Sequence, residues 1–125
     1  MLQVVATDRA PQAIGPYSQG IKFNGMIFVS GQIPLDPTSM QLVTGTIEEQ
    51  TRRVLMNVSA ILQEAGSGLD KVIKTTVYMK DMNEFEQMNA IYGEFFSNNK
   101  PARATVQVAR LPKDVSIEID AIAAQ

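Results

Sequence analysis

Two amphipathic helices, separated by a single strand, set the strongest limit on how this chain can fold. The first helix follows Thr46, which forms a capping box with Glu49, and it ends at Gly66. The second is predicted to follow Asn83, with Glu86 at the third position. The apolar faces consist of Ile47, Val54, Leu55, Val58, Ile61 and Leu62, and of Phe85, Met88, Tyr92, Phe95 and Phe96. Two such helices cover only one face of a sheet, so the other face must be polar or covered by another subunit.

Strand-like segments around these helices give the element order β-β-β-α-β-α-β-β. The pair Asn24-Gly25 lies between two short apolar segments and is typical of a hairpin with a two-residue primed turn. A chain of 125 residues is expected to form one domain. The sequence therefore predicts a single α+β domain over residues 1–125.

The stretch RATVQVARLPKDVSIEIDA, residues 103–121, predicts a hairpin with its turn at 111–114. Strict alternation along its strands would place one apolar row under the helices, namely Ala104, Val106, Val108, Val115, Ile117, Ile119 and Ala121. The opposite face would carry Arg103, Thr105, Gln107, Ser116, Glu118 and Asp120. In this register Gln107 is opposite Glu118, and Arg103 is diagonal to Asp120. Such a polar face is either solvated or built for a partner.

The composition narrows the chemistry that is available. The chain has no His and no Cys, which excludes an imidazole base, a thiolate nucleophile and the usual zinc site, and no acidic spacing predicts another metal site. The net charge is -2 with scattered basic residues, so nucleic acid is not an expected partner. No apolar run could span a bilayer and no secretory signal pattern is present, so we expect a cytoplasmic protein. Any catalysis must use Arg, Glu, Asp, Tyr, Ser, Thr, Lys or backbone groups, which favours a reaction whose substrate is already reactive.

Four motifs spread over nearly the whole chain carry a family resemblance. They are AIGPYSQG (13–20), VSGQIP (29–34), MNAIYGEFF (88–96) and KPARATVQVARLPKDVSIEIDAIA (100–123). With these motifs the chain resembles the RidA/YjgF family of imine/enamine deaminases. The resemblance implies a mixed sheet with two helices on one face, similar to the bacterial chorismate mutase fold, and a homotrimer with clefts between subunits.

The same resemblance implies the reaction. The family hydrolyses 2-imino acids such as 2-iminopropanoate and 2-iminobutanoate to 2-oxo acids and ammonia. Pyridoxal-phosphate-dependent dehydratases release these compounds, which links the chain functionally to such enzymes. A protonated imine is electrophilic enough for water to add directly, so no cofactor and no metal are expected.

Two charged residues are the main catalytic candidates under this resemblance. Arg103 is expected to bind the substrate carboxylate through its guanidinium fork, the alternative being a salt bridge to Asp120 or a subunit contact. Glu118 is expected to orient the attacking water and exchange protons with it, the alternative being a hydrogen bond to Gln107. Burial would raise the pKa of Glu118 and a nearby Arg103 would lower it, so the direction stays open.

The resemblance adds five further site residues. Tyr17 is expected to close one wall of the cleft, or else to cover the edge of the core. Ser30 and Gly31 are expected to let a backbone N–H approach the substrate, or else to form a strand-ending turn. Asn89 is a predicted buried amide that either bridges to a loop or lines the cleft. Thr105 stands where many members have Cys, so a lining role survives but thiol chemistry does not.

Two rival functions remain open from the residues alone. A non-catalytic or regulatory trimer that binds small carboxylates could use the same Arg103 contact. An RNA-directed role, described for some relatives of the family, receives little support from a slightly negative chain without His.

Overall fold

The strands and helices follow one another in the predicted order, and the computed structural model describes all 125 residues. The strands are β1 (Gln3–Val5), β2 (Gly20–Phe23), β3 (Met26–Gln32), β4 (Val72–Met79), β5 (Ala102–Gln107) and β6 (Ile117–Ala124), and the helices are α1 (Ile47–Glu64) and α2 (Phe85–Phe95). All strands form one sheet in the order β1-β2-β3-β6-β4-β5. Only β4 and β5 run parallel, and every other neighbouring pair is antiparallel. The predicted α+β fold with a mixed sheet is confirmed.

Two local signals in the sequence correspond to observed structure. Thr46 Oγ1 accepts a hydrogen bond from the Glu49 N–H at 3.2 Å, which caps α1, although the reciprocal bond of a capping box, from the Thr46 N–H to the Glu49 carboxylate, is not formed. Asn24 and Gly25 have φ values of 52° and 74°, the left-handed backbone that a primed turn between β2 and β3 requires. Short-range signals of this kind therefore fixed both elements correctly.

The start of the second helix differs from the prediction. Asn83 does not cap α2, because the Asp81 side chain accepts from the Asn83 N–H at 2.9 Å and starts a 3-10 turn at Met82–Glu84. The helix α2 begins after this turn, at Phe85, without a side-chain cap. An Asp two residues before an N–H makes a local turn readily, and here that turn replaced the predicted cap.

The predicted hairpin between β5 and β6 is wrong, because β4 lies between them. The helix α2 is the crossover that brings β5 alongside β4 in parallel, and β5 becomes an edge strand with exposed or half-buried residues. β6 instead lies between β3 and β4, where its buried row can pack under the helices. That row is Ile117, Ile119, Ala121 and Ala123.

This topology separates the residues that the hairpin would have joined. In the register of β4 and β5, Arg103 pairs with Thr75 and Gln107 with Met79, and both Thr75 and Met79 are buried on the helix side of the sheet. Arg103, Thr105 and Gln107 therefore lie on the helix side. Glu118 pairs with Tyr78 on the opposite side, which we call the open face. The expectation that Arg103 and Glu118 share one face is wrong.

Both helices pack against the same side of the sheet, and both predicted apolar stripes take part in the core. The strands contribute Ile27, Val29, Val77, Met79, Ile117 and Ile119, and the helices contribute Val54, Leu55, Val58, Ile61, Leu62, Met88 and Tyr92. Neither helix combines the length and the apolar character needed to cross a membrane.

The open face is only partly polar. Its polar residues include Lys74, Thr76, Tyr78, Glu118 and Asp120. Phe28, which pairs with Ile122 of β6, is 41% exposed there, and Val106 of β5 is 40% exposed. The open face thus combines polar and apolar side chains.

Candidate functional site

Six of the seven predicted site residues fall into two groups on opposite sides of the sheet, and Thr105 belongs to neither group. Tyr17, Ser30, Gly31 and Glu118 line one cavity of about 640 Å³, called the Glu118 cavity below. Arg103 and Asn89 meet on the helix side, together with aromatic residues of α2, and form the Arg103 cluster. Each group is half of the predicted site.

Glu118 presents its carboxylate to the cavity without a hydrogen-bonding partner from the protein. Its side chain projects from β6 toward β3, where Gly31 leaves room for it. A Cβ atom at Gly31 would overlap Glu118 Oε2. The predicted alternative, a hydrogen bond to Gln107, is not formed, because Gln107 Oε1 accepts from the Met82 N–H at 2.7 Å. The carboxylate is therefore free to bind water or a ligand.

Burial raises the pKa of Glu118 above its ordinary value, and the charge of Asp120 raises it further. Arg103 has no part in this shift within the protomer, because it lies on the other side of the sheet. Asp120 accepts a hydrogen bond from the Tyr78 hydroxyl at 3.1 Å, which fixes its position beside Glu118. A carboxyl group whose pKa lies nearer neutrality is better suited to exchange protons with water.

A hydrogen-bonded loop forms the opposite wall of the cavity. Ser30 Oγ donates to the Ser18 carbonyl at 2.5 Å, and the Ser30 N–H donates to the Gln19 carbonyl at 2.9 Å. Ser30 therefore ties the loop to β3, and neither of these donors is free for a substrate. Tyr17 is 55% exposed and stands at the rim of the cavity.

Gln19 is a structural residue of this wall that the sequence did not single out. It is buried, and its Oε1 accepts from the Thr7 N–H at 2.7 Å. Its Nε2 donates to the carbonyls of Thr7 at 3.0 Å and Pro11 at 2.7 Å. Gln19 thus holds both ends of the loop that carries Tyr17. Gln19 is the one polar side chain of the motif AIGPYSQG that is buried, and the sequence pattern does not report burial in a loop.

Arg103 is held by α2 on the helix side of the sheet. Its Nη1 donates to Asn89 Oδ1 at 2.7 Å, and its Cζ lies 4.7 Å from the ring centroid of Tyr92 and 5.5 Å from that of Phe85. The chain has three ion pairs and none includes Arg103, so the alternative salt bridge to Asp120 is not formed. The guanidinium therefore remains available to an anion.

Asn89 and Thr105 differ from their expected environments. Asn89 is exposed rather than buried, because it lies at the margin of the α2 stripe, where Arg103 meets it. Thr105 is half-buried on the helix side, and its Oγ1 is buried without a hydrogen-bond partner. Asn89 thus contacts the predicted carboxylate-binding residue, whereas Thr105 faces the protein interior.

The donor set does not suit a metal ion. No group of three or more acidic side chains is arranged as a metal site, and the chain has no His or Cys. What the two groups offer is a cation with free N–H donors and a carboxyl group with a raised pKa.

Comparison with known proteins identifies the family. A family model described as Endoribonuclease L-PSP matches residues 7–125. The chain belongs to this family. It is 56% identical over 121 residues to a RutC family protein of Pyrococcus abyssi, covering 97% of this chain and 95% of that one. It is 48% identical over 123 residues to the human protein named 2-iminobutanoate/2-iminopropanoate deaminase, covering 98% and 90% of the two chains.

A solved structure agrees with the fold over the same extent. The crystal structure of Escherichia coli TdcF with bound serine superposes with a TM-score of 0.95 at 44% identity, covering 98% of both chains. These matches confirm the resemblance that the four motifs predicted, and the family includes proteins named as deaminases.

Proposed function

We propose that this chain hydrolyses 2-imino acids to 2-oxo acids and ammonia in a site shared between two copies. The observation that carries the proposal is the placement of Arg103 and Glu118 on opposite sides of one sheet. One copy therefore cannot bring both groups to the same substrate. A second copy can, if its open face packs against the Arg103 edge of the first.

The geometry of such a contact favours a ring. The two surfaces in contact are different, so the interface is heterologous and closes only in a cyclic assembly. Three copies is the number that the family resemblance implies. Exposed Phe28 and Val106 on the open face supply apolar area for the contact.

The reaction can be assigned to the two halves of the site. Arg103 of one copy binds the substrate carboxylate with a pair of parallel N–H donors. Glu118 of the neighbouring copy takes a proton from water as the water oxygen bonds to the imine carbon. Glu118 then returns this proton to the nitrogen of the carbinolamine. As the C–N bond breaks, the hydroxyl group gives its proton to the Glu118 carboxylate and becomes the carbonyl of the 2-oxo acid, and the departing ammonia takes up that proton as ammonium. The substrate already carries the electrophile, so no cofactor is needed.

The activity is tested by coupling the purified protein to a threonine or serine dehydratase that contains pyridoxal phosphate. Semicarbazide traps the free imine, and 2-oxo acid release is followed against it. We expect the wild-type chain to accelerate release and Arg103→Ala to abolish the acceleration. No acceleration by the wild-type chain while the dehydratase is active would favour a non-catalytic carboxylate-binding protein.

The shared site is tested by mixing two inactive variants. Arg103→Ala and Glu118→Ala chains, refolded together at equal amounts, would form mixed trimers in which one site of three has both residues. About three quarters of randomly assembled trimers are mixed, so roughly a quarter of the wild-type sites should return. Activity that stays at the level of the separate variants would mean that each chain supplies both residues itself.

An endoribonuclease role, which the description of the family model names, has less support in this chain. The net charge is -2 and no His is present for the acid–base chemistry common in RNA cleavage. Incubation of the purified protein with RNA, followed by electrophoresis, is expected to leave the RNA intact.

A further inference from the structure

The conformation of the Arg103 side chain must be restricted by the protein itself, before any substrate binds. Arg103 is exposed on the edge strand β5, and no carboxylate of its own chain neutralises it. A long side chain in that position has many conformations, and binding a carboxylate with two parallel N–H donors demands one of them. The neighbours that can restrict the Arg103 side chain are residues of α2.

Three residues on one face of α2 touch the guanidinium. Phe85, Asn89 and Tyr92 follow the spacing of four and three residues that brings side chains together on a helix. Of the two rings, Tyr92 is the nearer, at 4.7 Å from Cζ compared with 5.5 Å for Phe85. Asn89 supplies one hydrogen bond, but its amide is exposed and is free to turn.

Tyr92, in contrast, is fixed. The residue is 7% exposed, and its ring packs against Phe96 with 4.6 Å between the centroids. Its hydroxyl lies 2.7 Å from Thr75 Oγ1, in a hydrogen bond that is buried. Burial is the main cause that raises the pKa of Tyr92, so the ring remains a neutral phenol.

Thr75 closes the arrangement, because it is the strand partner of Arg103. The register of β4 and β5 sets Thr75 beside Arg103, and the Tyr92 ring reaches both residues from α2. The ring cannot leave the guanidinium without breaking the hydrogen bond to Thr75. Arg103 has five N–H donors. Only one of them, an N–H of Nη1, is used within the chain, in the hydrogen bond to Asn89.

We propose that Tyr92, anchored by Thr75, is a positioning residue that holds the Arg103 guanidinium in the orientation that binds the substrate carboxylate. The inference rests on the function proposed above and deepens it. A ring under the face of the guanidinium attracts the cation and leaves its in-plane N–H groups free for the forked contact. The ring is the part that positions Arg103, and the hydroxyl is the part that positions the ring.

The test compares Tyr92→Leu, which removes the ring, with Tyr92→Phe and Thr75→Val, which remove only the anchor. The readouts are KM and kcat for imine hydrolysis and the Kd of pyruvate, used as a carboxylate probe in calorimetry. We expect Tyr92→Leu to raise KM and Kd together by about tenfold with kcat changed less than about threefold, the pattern of lost uniform binding. Tyr92→Phe and Thr75→Val should each raise both by only about threefold, because the ring is retained.

Phe95→Leu is the matched control, since Phe95 is an aromatic residue of the same helix that lies under a different arginine, Arg52, at 5.9 Å. Its KM and Kd should equal those of the wild type. A folded Tyr92→Leu variant that binds pyruvate as the wild type does would overturn the positioning role. If that variant does not fold, Thr75→Val decides, and an unchanged Kd and KM there would overturn the role.

The outcomes separate this inference from the proposed function. A wild-type chain that binds pyruvate but does not hydrolyse imines removes the proposed reaction, while the Kd values still decide the role of Tyr92. A wild-type chain that hydrolyses imines, with Kd and KM insensitive to Tyr92, removes only the positioning role. A chain that neither hydrolyses imines nor binds pyruvate removes both.

Discussion

The Glu118 carboxylate fills the space that a side chain at residue 31 would occupy, so Gly31 and Glu118 are mutually dependent. In Gly31→Ala the new methyl group would displace the flexible end of Glu118 rather than the backbone. We expect kcat/KM to fall by on the order of tenfold to a hundredfold, because small misplacements of a catalytic group are costly. Thermal unfolding should change little.

The control for this variant is Gly93→Ala in α2, where a Cβ would meet no atom within 4 Å. It should keep full activity and gain about 0.5–1 kcal/mol of stability, because Ala is favoured over Gly in a helix. Wild-type kcat/KM in Gly31→Ala would show that the position of the Glu118 carboxylate does not limit the reaction.

The pH dependence of activity should follow the charge of Asp120. In the proposed mechanism Glu118 acts as a base in its ionised form, so kcat/KM should fall as the pH drops through its pKa, which burial and Asp120 both raise. Asp120→Asn removes one of these causes, so the pKa falls and the acid limb of the profile moves to lower pH. Tyr78→Phe removes the hydrogen bond to Asp120 but keeps the charge of Asp120, so the acid limb of this variant's pH profile should stay in place. If the acid limb of the pH profile does not move in Asp120→Asn, a group other than Glu118 is responsible for it.

Replacing Thr by Val should change the free energy of unfolding in opposite directions at two threonines on the helix side. Thr105 Oγ1 is buried without a partner, whereas Thr75 Oγ1 is hydrogen-bonded to Tyr92. In urea unfolding, Thr105→Val should raise the free energy of unfolding by about 1 kcal/mol, and Thr75→Val should lower it by a similar amount. If Thr105→Val destabilises as much as Thr75→Val, its hydroxyl has a partner in the assembled protein.

Gln19 should be required for the wall that carries Tyr17. Gln19→Leu leaves buried donor and acceptor groups of Thr7 and Pro11 unpaired, so the free energy of unfolding should fall by about 2–3 kcal/mol. Urea titration with circular dichroism measures it, and Gln12→Ala, an exposed position at the same cavity, serves as the control. Equal stability of the two variants would mean that the loop is held by other contacts.

The open face should govern assembly. Phe28→Lys places a charge beside Ile122 on that face, so sedimentation should show a smaller species with native circular dichroism, and hydrolysis should be lost. Met56→Lys, at an exposed apolar position of α1, is the matched control and should keep the wild-type size. An unchanged sedimentation coefficient in Phe28→Lys would place the interface elsewhere.

Local features of this fold, including the hairpin of β2 and β3, could be predicted from the sequence, whereas the long-range pairing of β5 and β6 could not. The capping residue Thr46 and the turn at Asn24-Gly25 act through neighbours within three residues, so their pattern is sufficient. The pairing of β5 depends on β4, a strand that precedes it by a whole helix. Alternation gave the correct relative positions of Arg103, Thr105 and Gln107, but only tertiary structure could show which side of the sheet they occupy.

The same limit applies to the site. Tyr17, Ser30, Gly31 and Glu118, which come from three different motifs, line one cavity. Tyr92 was assigned to the core stripe, correctly, yet its ring also contacts Arg103. The signal was the spacing of Phe85, Asn89 and Tyr92, which is visible in the sequence but gains meaning only when β5 lies beside it.

The division of Arg103 and Glu118 between the two sides of one sheet has a consequence for when such a protein is active. If the site is shared between copies as proposed, a newly synthesised chain would fold completely and still lack an active site, because Arg103 and Glu118 of one chain cannot reach the same substrate. Turnover per molecule would then fall steeply on dilution, before any chain unfolds. The activity per molecule would then depend on the concentration of the protein in the cell, with a threshold set by the affinity between the copies.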